Sequence, residues 1–285
     1  MASKMIYKGI RRYFGLPMLV VFLSALTGCA VLPDYSEQAG KLANAAGWRK
    51  QWLSTPHFDL LSYVPYVTRP KRQILTIYIE GDGRAWSSTY RISPDPTPRN
   101  PVGLKLALRH PSDQAVAYLA RPCQYDGKAY RPPCRQEYWT GKRFAPKVIK
   151  ASQAGVDQLK RQVGAEKIIL VGYSGGGAVA ALLAAERQDV AELITVAGNL
   201  DHKVSTEHHS VTPLRGSLNP ADAWQALRDI PQRHFVGGDD RVIPPLVVRA
   251  YQRRFPEEQR PSVRIIDGFD HHCCWEKHWS GLLGP

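Results

Sequence analysis

The sequence predicts an α/β protein, a mostly parallel central sheet with helices on both faces. Three observations predict it. Short aliphatic runs alternate with segments of helical spacing from Phe58 onward. Several of these runs, "KIILVGYS" among them, are continuously apolar rather than alternating, as strands buried on both sides of a parallel sheet should be. Glycine, acidic and histidine residues collect where the runs end, at Gly81-Asp82-Gly83, Ser174, Asp239-Asp240 and Asp270-His271-His272. Ligands of such folds gather at the carboxyl ends of the strands.

The elements follow in order. Residues 29–57 read as a tether and peripheral segment, with a helix around Ala39 to Trp52. "FDLLSYV" is the first strand, and "RQILTIYIEGDG" is a β-branched strand ending in a glycine loop. "PVGLKLALRH" is a helix after a proline-rich stretch, and "QAVAYLARP" is a strand. "APKVIKASQAGVDQLKRQVG" has helical spacing, a proline at its start and a glycine at its end. Then come strand "KIILVGYS", helix "GAVAALLAAER", strand "AELITVAGN", helix "DAWQALRDI", strand "RHFVGGDD", helix "LVVRAYQRRF", strand "SVRIIDGFDH" and a short final helix "WEKHWSGLL". No internal repeat or second domain is visible, so residues 58–285 form one domain with a small cap or none.

The N-terminus predicts an address. Lys4, Lys8, Arg11 and Arg12 form a positive segment without acidic residues, and "LPMLVVFLSAL" follows it. That apolar run is too short to span a bilayer comfortably and reads as a secretory signal peptide, residues 1–28. "LTGC" resembles the lipobox of bacterial lipoproteins, which implies a lipidated Cys29, and Ala30 after it resembles lipoproteins sorted to the outer membrane. Removing 1–28 takes away four of the 38 Lys and Arg and none of the 25 Asp and Glu, so the net charge falls from +13 to +9. That excess suits anionic neighbours such as lipid headgroups. Nucleic acid is not an expected partner, because the basic residues are scattered.

With Cys29 assigned to lipid, four of the five cysteines remain for an oxidising compartment. The preferred disulfide joins Cys123 to Cys134, which bracket the loop-like "QYDGKAYRPP". Cys273 and Cys274 are left open between a vicinal ring, free thiols and other pairings. His271, His272, Cys273 and Cys274 are contiguous rather than in spaced pairs, so no metal site is expected there.

The glycines around Ser174 admit three chemistries. A phosphate loop needs a Lys-Ser/Thr pair where Ala178-Val179 stands. A dinucleotide fingerprint wants an acidic residue where the next strand ends in Gly198-Asn199. Gly172-Tyr173-Ser174-Gly175-Gly176 between a strand and a helix fits a nucleophile raised on a sharp turn, with small residues two positions to either side. A serine hydroxyl needs an imidazole base oriented by a carboxylate, and the order Ser, Asp, His is present.

On these residues the chain resembles the α/β-hydrolase superfamily. The resemblance selects Asp240, in Gly237-Gly238-Asp239-Asp240-Arg241-Val242-Ile243-Pro244, as the acid, and His271, in Gly268-Phe269-Asp270-His271, as the base. Asp239 and His272 remain alternatives, because a one-residue slip turns the neighbour inward. "IYIEGDGRAW" aligns with the family's oxyanion loop, with Glu80 where a histidine is usual. The implied oxyanion donors are the N–H groups of Gly175 and Asp82, with the Asp82 side chain pointing away. "RPCQY" and "HHCCW" resemble exported bacterial lipoproteins of this kind. The expected function is a lipid-anchored envelope serine hydrolase acting on carboxylic esters or amides, with no metal or cofactor. The alternative is a non-catalytic lipoprotein that keeps the shape as a binding surface, favoured by Glu80 and by Cys273-Cys274. Asp201 reads as a loop or cap residue rather than a second acid. His202, His208, His209 and His234 read as packing or surface residues, and Trp86, Tyr138, Trp139 and Trp275 as pocket or space-filling rings.

Overall fold

Residue type sets the alternation of the chain. β-branched and aromatic runs form its strands, and the alanine- and leucine-rich segments between them form its helices. In a computed structural model, residues 34–66, 73–111, 114–127 and 132–284 are described. The expected signal peptide and Cys29 lie outside them.

The elements are α1 (Tyr35–Ala45), β1 (Trp48–Ser54), β2 (Asp59–Pro65), β3 (Ile74–Ile79), β4 (Trp86–Ser88), β5 (Arg91–Ile92), α2 (Val102–Leu108), β6 (Ala115–Leu119), α3 (Pro146–Val163), β7 (Lys167–Tyr173), α4 (Gly175–Ala185), β8 (Val190–Val196), α5 (His202–His208), α6 (Trp224–Leu227), β9 (Gln232–Gly237), α7 (Pro245–Gln252), β10 (Ser262–Ile266) and α8 (Trp275–Leu283). Among the described residues one sheet runs in the order β1-β2-β6-β3-β7-β8-β9-β10. From β6 to β10 every pairing is parallel, whereas β1 with β2 and β2 with β6 are antiparallel. β4 and β5 form a separate hairpin.

Period-two alternation divides the core between the two faces. Leu75, Ile77 and Ile79 of β3 pack with Val148, Ile149 and Val156 of α3 and the alanines of α4. Tyr78 packs on the other face with Ala39 and Ala43 of α1, Leu104 and Leu106 of α2, and Trp275 and Trp279 of α8. α4 is buried all round, from Gly175 to Ala184, which explains its lack of a polar stripe. Between β8 and β9 the chain inserts only α5, a 3₁₀ turn and α6, where a small cap or none was expected.

The helix expected over 39–52 is shorter. It ends at Ala45, Gly47 turns the chain at φ 76°, and Trp48–Ser54 pairs with β2 from Trp48↔Pro65 to Ser54↔Asp59. Residues read as tether and helix therefore supply the outermost strand of the sheet. The reason is exposure: an edge strand has one neighbour, so β1 keeps polar side chains at most positions and carries no aliphatic run.

Cys123 and Cys134 are joined, with Cα atoms 5.6 Å apart, and both are buried in the core. Cys273 and Cys274 are joined to each other. No helix of the described residues is long and apolar enough to cross a membrane. Closing a loop of this length by Cys123–Cys134 should contribute about 3 kcal/mol. Replacing both residues by alanine is expected to lower the urea midpoint accordingly, and an unchanged midpoint would contradict that role.

Candidate active site

Ser174 sits between β7 and α4 at φ 53° and ψ −121°, a left-handed conformation that side chains avoid. The turn closes because its neighbours lack side chains. A Cβ on Gly172 would lie 2.3 Å from the Gly176 carbonyl oxygen, and one on Gly176 would lie 2.3 Å from the Ile79 carbonyl oxygen. Backbone bonds fasten the strained residue. The Ser174 N–H donates to the Val196 carbonyl (2.9 Å), and its own carbonyl accepts from Gly177 and Asn199 (3.0 Å each). The side chain is thereby held at the carboxyl edge of the sheet.

The acid and base meet because their two loops are stitched together. After β9, Gly238 N–H donates to the Ile266 carbonyl (2.8 Å) and Asp239 N–H to the Phe269 carbonyl (2.9 Å). A Cβ on Gly237 would lie 2.3 Å from the Phe269 oxygen, so glycine permits this approach. Asp240 Oδ1 accepts from Val242 and Ile243 N–H, both at 2.8 Å. Its Oδ2 lies 2.8 Å from His271 Nδ1, and His271 Nε2 lies 3.0 Å from Ser174 Oγ. All three residues are buried. With Nδ1 protonated and donating to Asp240, Nε2 is the acceptor that the serine hydroxyl needs.

The histidine loop has its own supports. Asp270 Oδ1 accepts from the His272 (2.7 Å) and Cys273 (2.6 Å) N–H groups, and these bonds hold its carboxyl below the usual range. The Tyr173 hydroxyl donates to the His271 carbonyl at 2.9 Å. Tyr173, the residue before the serine, thus ties the elbow to the base. His272 contacts the Tyr173 hydroxyl through Nδ1 at 3.0 Å instead of reaching the serine, and Asp239 is exposed. The geometry brings together Asp240 and His271 rather than their neighbours.

On the other side of Ser174 lies the loop after β3. A Cβ on Gly81 would be 3.3 Å from Ser174 Cβ, so the loop abuts the serine. Glu80 is buried at the root of this loop. Its Oε1 accepts from Gly81 (2.9 Å) and Gly103 (3.1 Å) N–H, and its Oε2 accepts from Leu104 N–H and the Tyr118 hydroxyl, both at 3.2 Å. Burial pushes its carboxyl up, opposed by these donors. The carboxyl therefore anchors the loop to the start of α2. It fills a structural role, and Glu80 no longer argues for a binding-only protein.

Asp82 corrects an expectation. Its carboxylate does not turn wholly away from the elbow, since a Cβ on Gly175 would lie 2.1 Å from its Oδ1. Charge pairing, not distance, removes the conflict. Arg121 reaches Oδ1 at 3.1 Å and Arg143 reaches Oδ2 at 2.7 Å, with all three side chains at most 18% exposed. Burial alone would raise the Asp82 carboxyl, but the Arg143 and Arg121 guanidinium groups outweigh it and hold it below its usual value. The Asp82 charge beside Gly175 is thus offset by its two guanidinium partners. Gly175 is the first residue of α4, where the N–H has no partner within the helix.

Comparison with solved structures fits this geometry. An alpha-beta serine hydrolase homologue from Coxiella burnetii superposes with a TM-score of 0.55 at 15% identity, covering 82% of this chain and 93% of that one. The esterase Pf2001 of Pyrococcus furiosus gives 0.56 at 15% identity, over 83% and 90% of the two chains. A serine hydrolase without lid from Xanthomonas campestris gives 0.51 at 15% identity, over 79% and 86%. The fold is that of the α/β-hydrolases. No family model matches the sequence, and no curated protein is similar to it.

Within this α/β-hydrolase fold the remaining candidates find other work. Asp201 caps α5, accepting from Lys203 (3.2 Å) and Val204 (3.4 Å) N–H and from the Asn219 amide (3.0 Å). His234 is buried against Thr195, and burial pulls its ring down to about 3. His209 contacts the Val242 carbonyl, and His202 lies beside the Phe144 ring. Sequence reading missed Arg121, Arg143 and Tyr173. Arg121 had a signal, since it follows the carboxyl end of a strand next to β3. Arg143 and Tyr173 had none.

Replacing Asp82 by asparagine leaves two buried guanidinium groups without their anion and should cost about 3–5 kcal/mol at neutral pH. Because the folded Asp82 carboxyl lies below its unfolded value, its contribution is complete above the ordinary carboxylate range and is lost as pH falls through the lowered value. The stability gap between wild type and Asp82→Asn should therefore narrow on acidification. Urea unfolding followed downward from pH 7 checks this, and a gap that widens in acid would contradict it.

Proposed function

We propose that this chain is a serine hydrolase cleaving carboxylic esters, or amides, through an acyl-enzyme, and that it is anchored in the bacterial envelope by a lipid on Cys29. The observation that carries the catalytic reading is the continuous line Ser174 Oγ, His271 Nε2, His271 Nδ1, Asp240 Oδ2, with steps of 3.0 and 2.8 Å across its two hydrogen bonds. The esterase and serine hydrolase neighbours support the same reaction class at the level of fold. The signal-like N-terminus and "LTGC" support the anchor, and Ala30 supports the outer membrane as destination.

The mechanism follows from these roles. Ser174 Oγ attacks the substrate carbonyl carbon as its proton passes to His271 Nε2, and Asp240 stabilises the imidazolium that results. The carbonyl oxygen becomes an oxyanion received by the Gly175 and Asp82 N–H groups, in the field of the Arg121 and Arg143 cations. As the tetrahedral intermediate collapses, Nε2 returns the proton to the leaving alcohol or amine. A water then attacks the acyl-enzyme, giving its proton to Nε2, and expulsion of the acid restores the Ser174 hydroxyl. The strained elbow keeps Oγ in the same place through both halves of the cycle.

A fluorophosphonate probe tests this reading. Wild type should become covalently labelled on Ser174, and Ser174→Ala should not. Equal labelling of both, or none of either in folded protein, would count against it.

A further inference from the structure

The chain enters the fold on the same rim that carries Ser174. Strand direction fixes this first. β1 is antiparallel to β2 and β2 to β6, so β1 climbs toward the same edge as β6 and the other parallel strands. α1 precedes β1 through the turn at Ala46 and Gly47, so it begins at the catalytic edge and descends. The contacts agree. The Ser36 hydroxyl donates to the Tyr125 carbonyl at 3.4 Å, and the Arg99 guanidinium lies 5.4 Å from the centre of the Tyr35 ring. Tyr125 and Arg99 belong to the two loops that clamp the segment after β3. Gln124 donates to the Gly81 carbonyl at 2.9 Å, and Arg84 N–H donates to the Pro96 carbonyl at 3.0 Å.

The tether is short. Cys29 precedes Asp34 by five residues, which reach at most about 17 Å when fully extended. A lipid on Cys29 therefore holds the catalytic rim close to the bilayer surface. The opposite edge lies a further strand length away, about 20 Å.

The same rim presents aromatic side chains to solvent. The β4–β5 hairpin starts four residues after Asp82, and on it Trp86 is 44% and Tyr90 94% exposed. Arg84 and Arg91 flank them. Rings with one apolar body and one polar edge favour the headgroup layer over either water or hydrocarbon, and neighbouring arginines favour anionic lipid. Asp34, Glu37 and Asp95 are also exposed on this side. Charge alone does not select the partner; the tether length and the aromatic pair do.

We propose that the β4–β5 hairpin docks on the bilayer that holds the Cys29 lipid, turning the catalytic rim toward the membrane. The inference rests on the anchor and the hydrolase reading proposed above, and it narrows the substrates to esters or amides of amphiphiles resident in that leaflet.

The test uses the full chain, purified from bacterial membranes and reconstituted into phosphatidylethanolamine–phosphatidylglycerol vesicles with chains brominated near the headgroup. Brominated lipid should quench tryptophan fluorescence in wild type, and Trp86→Phe should lose most of that quenching. Trp48→Phe, which changes a ring at the end of β1 away from the catalytic edge, should keep it. No quenching in wild type, unchanged quenching in Trp86→Phe, or equal loss in both variants overturns the docking. The mass of the N-terminal peptide from the same sample separates the layers of the argument. An unacylated peptide overturns the anchor and the docking together, whereas an acylated peptide without quenching overturns the docking alone. The fluorophosphonate label reports independently on the hydrolase.

Discussion

Backbone crowding at the turn from β7 into α4 is the constraint on which the rest of the molecule depends. Gly172 and Gly176 approach to a distance that excludes a methyl group, and Gly176 lies equally close to the end of β3. That crowding forces Ser174 into a conformation costing of order 1–3 kcal/mol. The surrounding sheet compensates, with β8 accepting the Ser174 N–H and the segment after it donating to the Ser174 carbonyl. Any side chain at either glycine would separate α4 from β7 and β3 and carry the hydroxyl away from its partners. A parallel sheet buried on both faces is stiff enough to hold such a turn, because every strand that meets it is fixed by two neighbours.

Two further contacts convert the turn into a site. The loops after β9 and β10 are laced by backbone hydrogen bonds, and this lacing, not proximity in sequence, brings Asp240 to His271. On the opposite side two buried carboxylates face different partners. Glu80 spends its lone pairs on four neutral donors and fixes the loop, whereas Asp82 faces two guanidinium groups and tunes the field beside Gly175. Removing one member of such a buried trio is costly because it strands the charge of the others.

Much of this was legible in the sequence, for physical reasons. Strands buried on both faces must be apolar throughout, so β7 and its neighbours announce themselves, and α3 is framed by Pro146 and the left-handed Gly164. The elbow was legible because its sterics admit only small residues at two positions. β1 was not, since an edge strand needs no aliphatic run and α1 leads into it after one glycine. Asp240 and His271 were selected by their likeness to a family pattern, with Asp239 and His272 kept as alternatives, because a single residue of register decides which side chain turns inward. The distances from His271 to Asp240 and Ser174 come from coordinates alone. Arg121, Arg143 and Tyr173 act through contacts between segments 39, 61 and 98 residues apart. No local period encodes such pairings.

The central claim is that Ser174 and His271 act as one chemical unit. A mutant cycle on hydrolysis of a short-chain nitrophenyl ester tests it most directly, with Ser174→Ala, His271→Ala and the doubly substituted chain compared as folded proteins. Groups that share one proton transfer lose nearly everything when either is removed, so the double variant should be no slower than either single one. Independent losses that multiply in the double variant, or a His271→Ala enzyme that keeps its rate, would contradict the account.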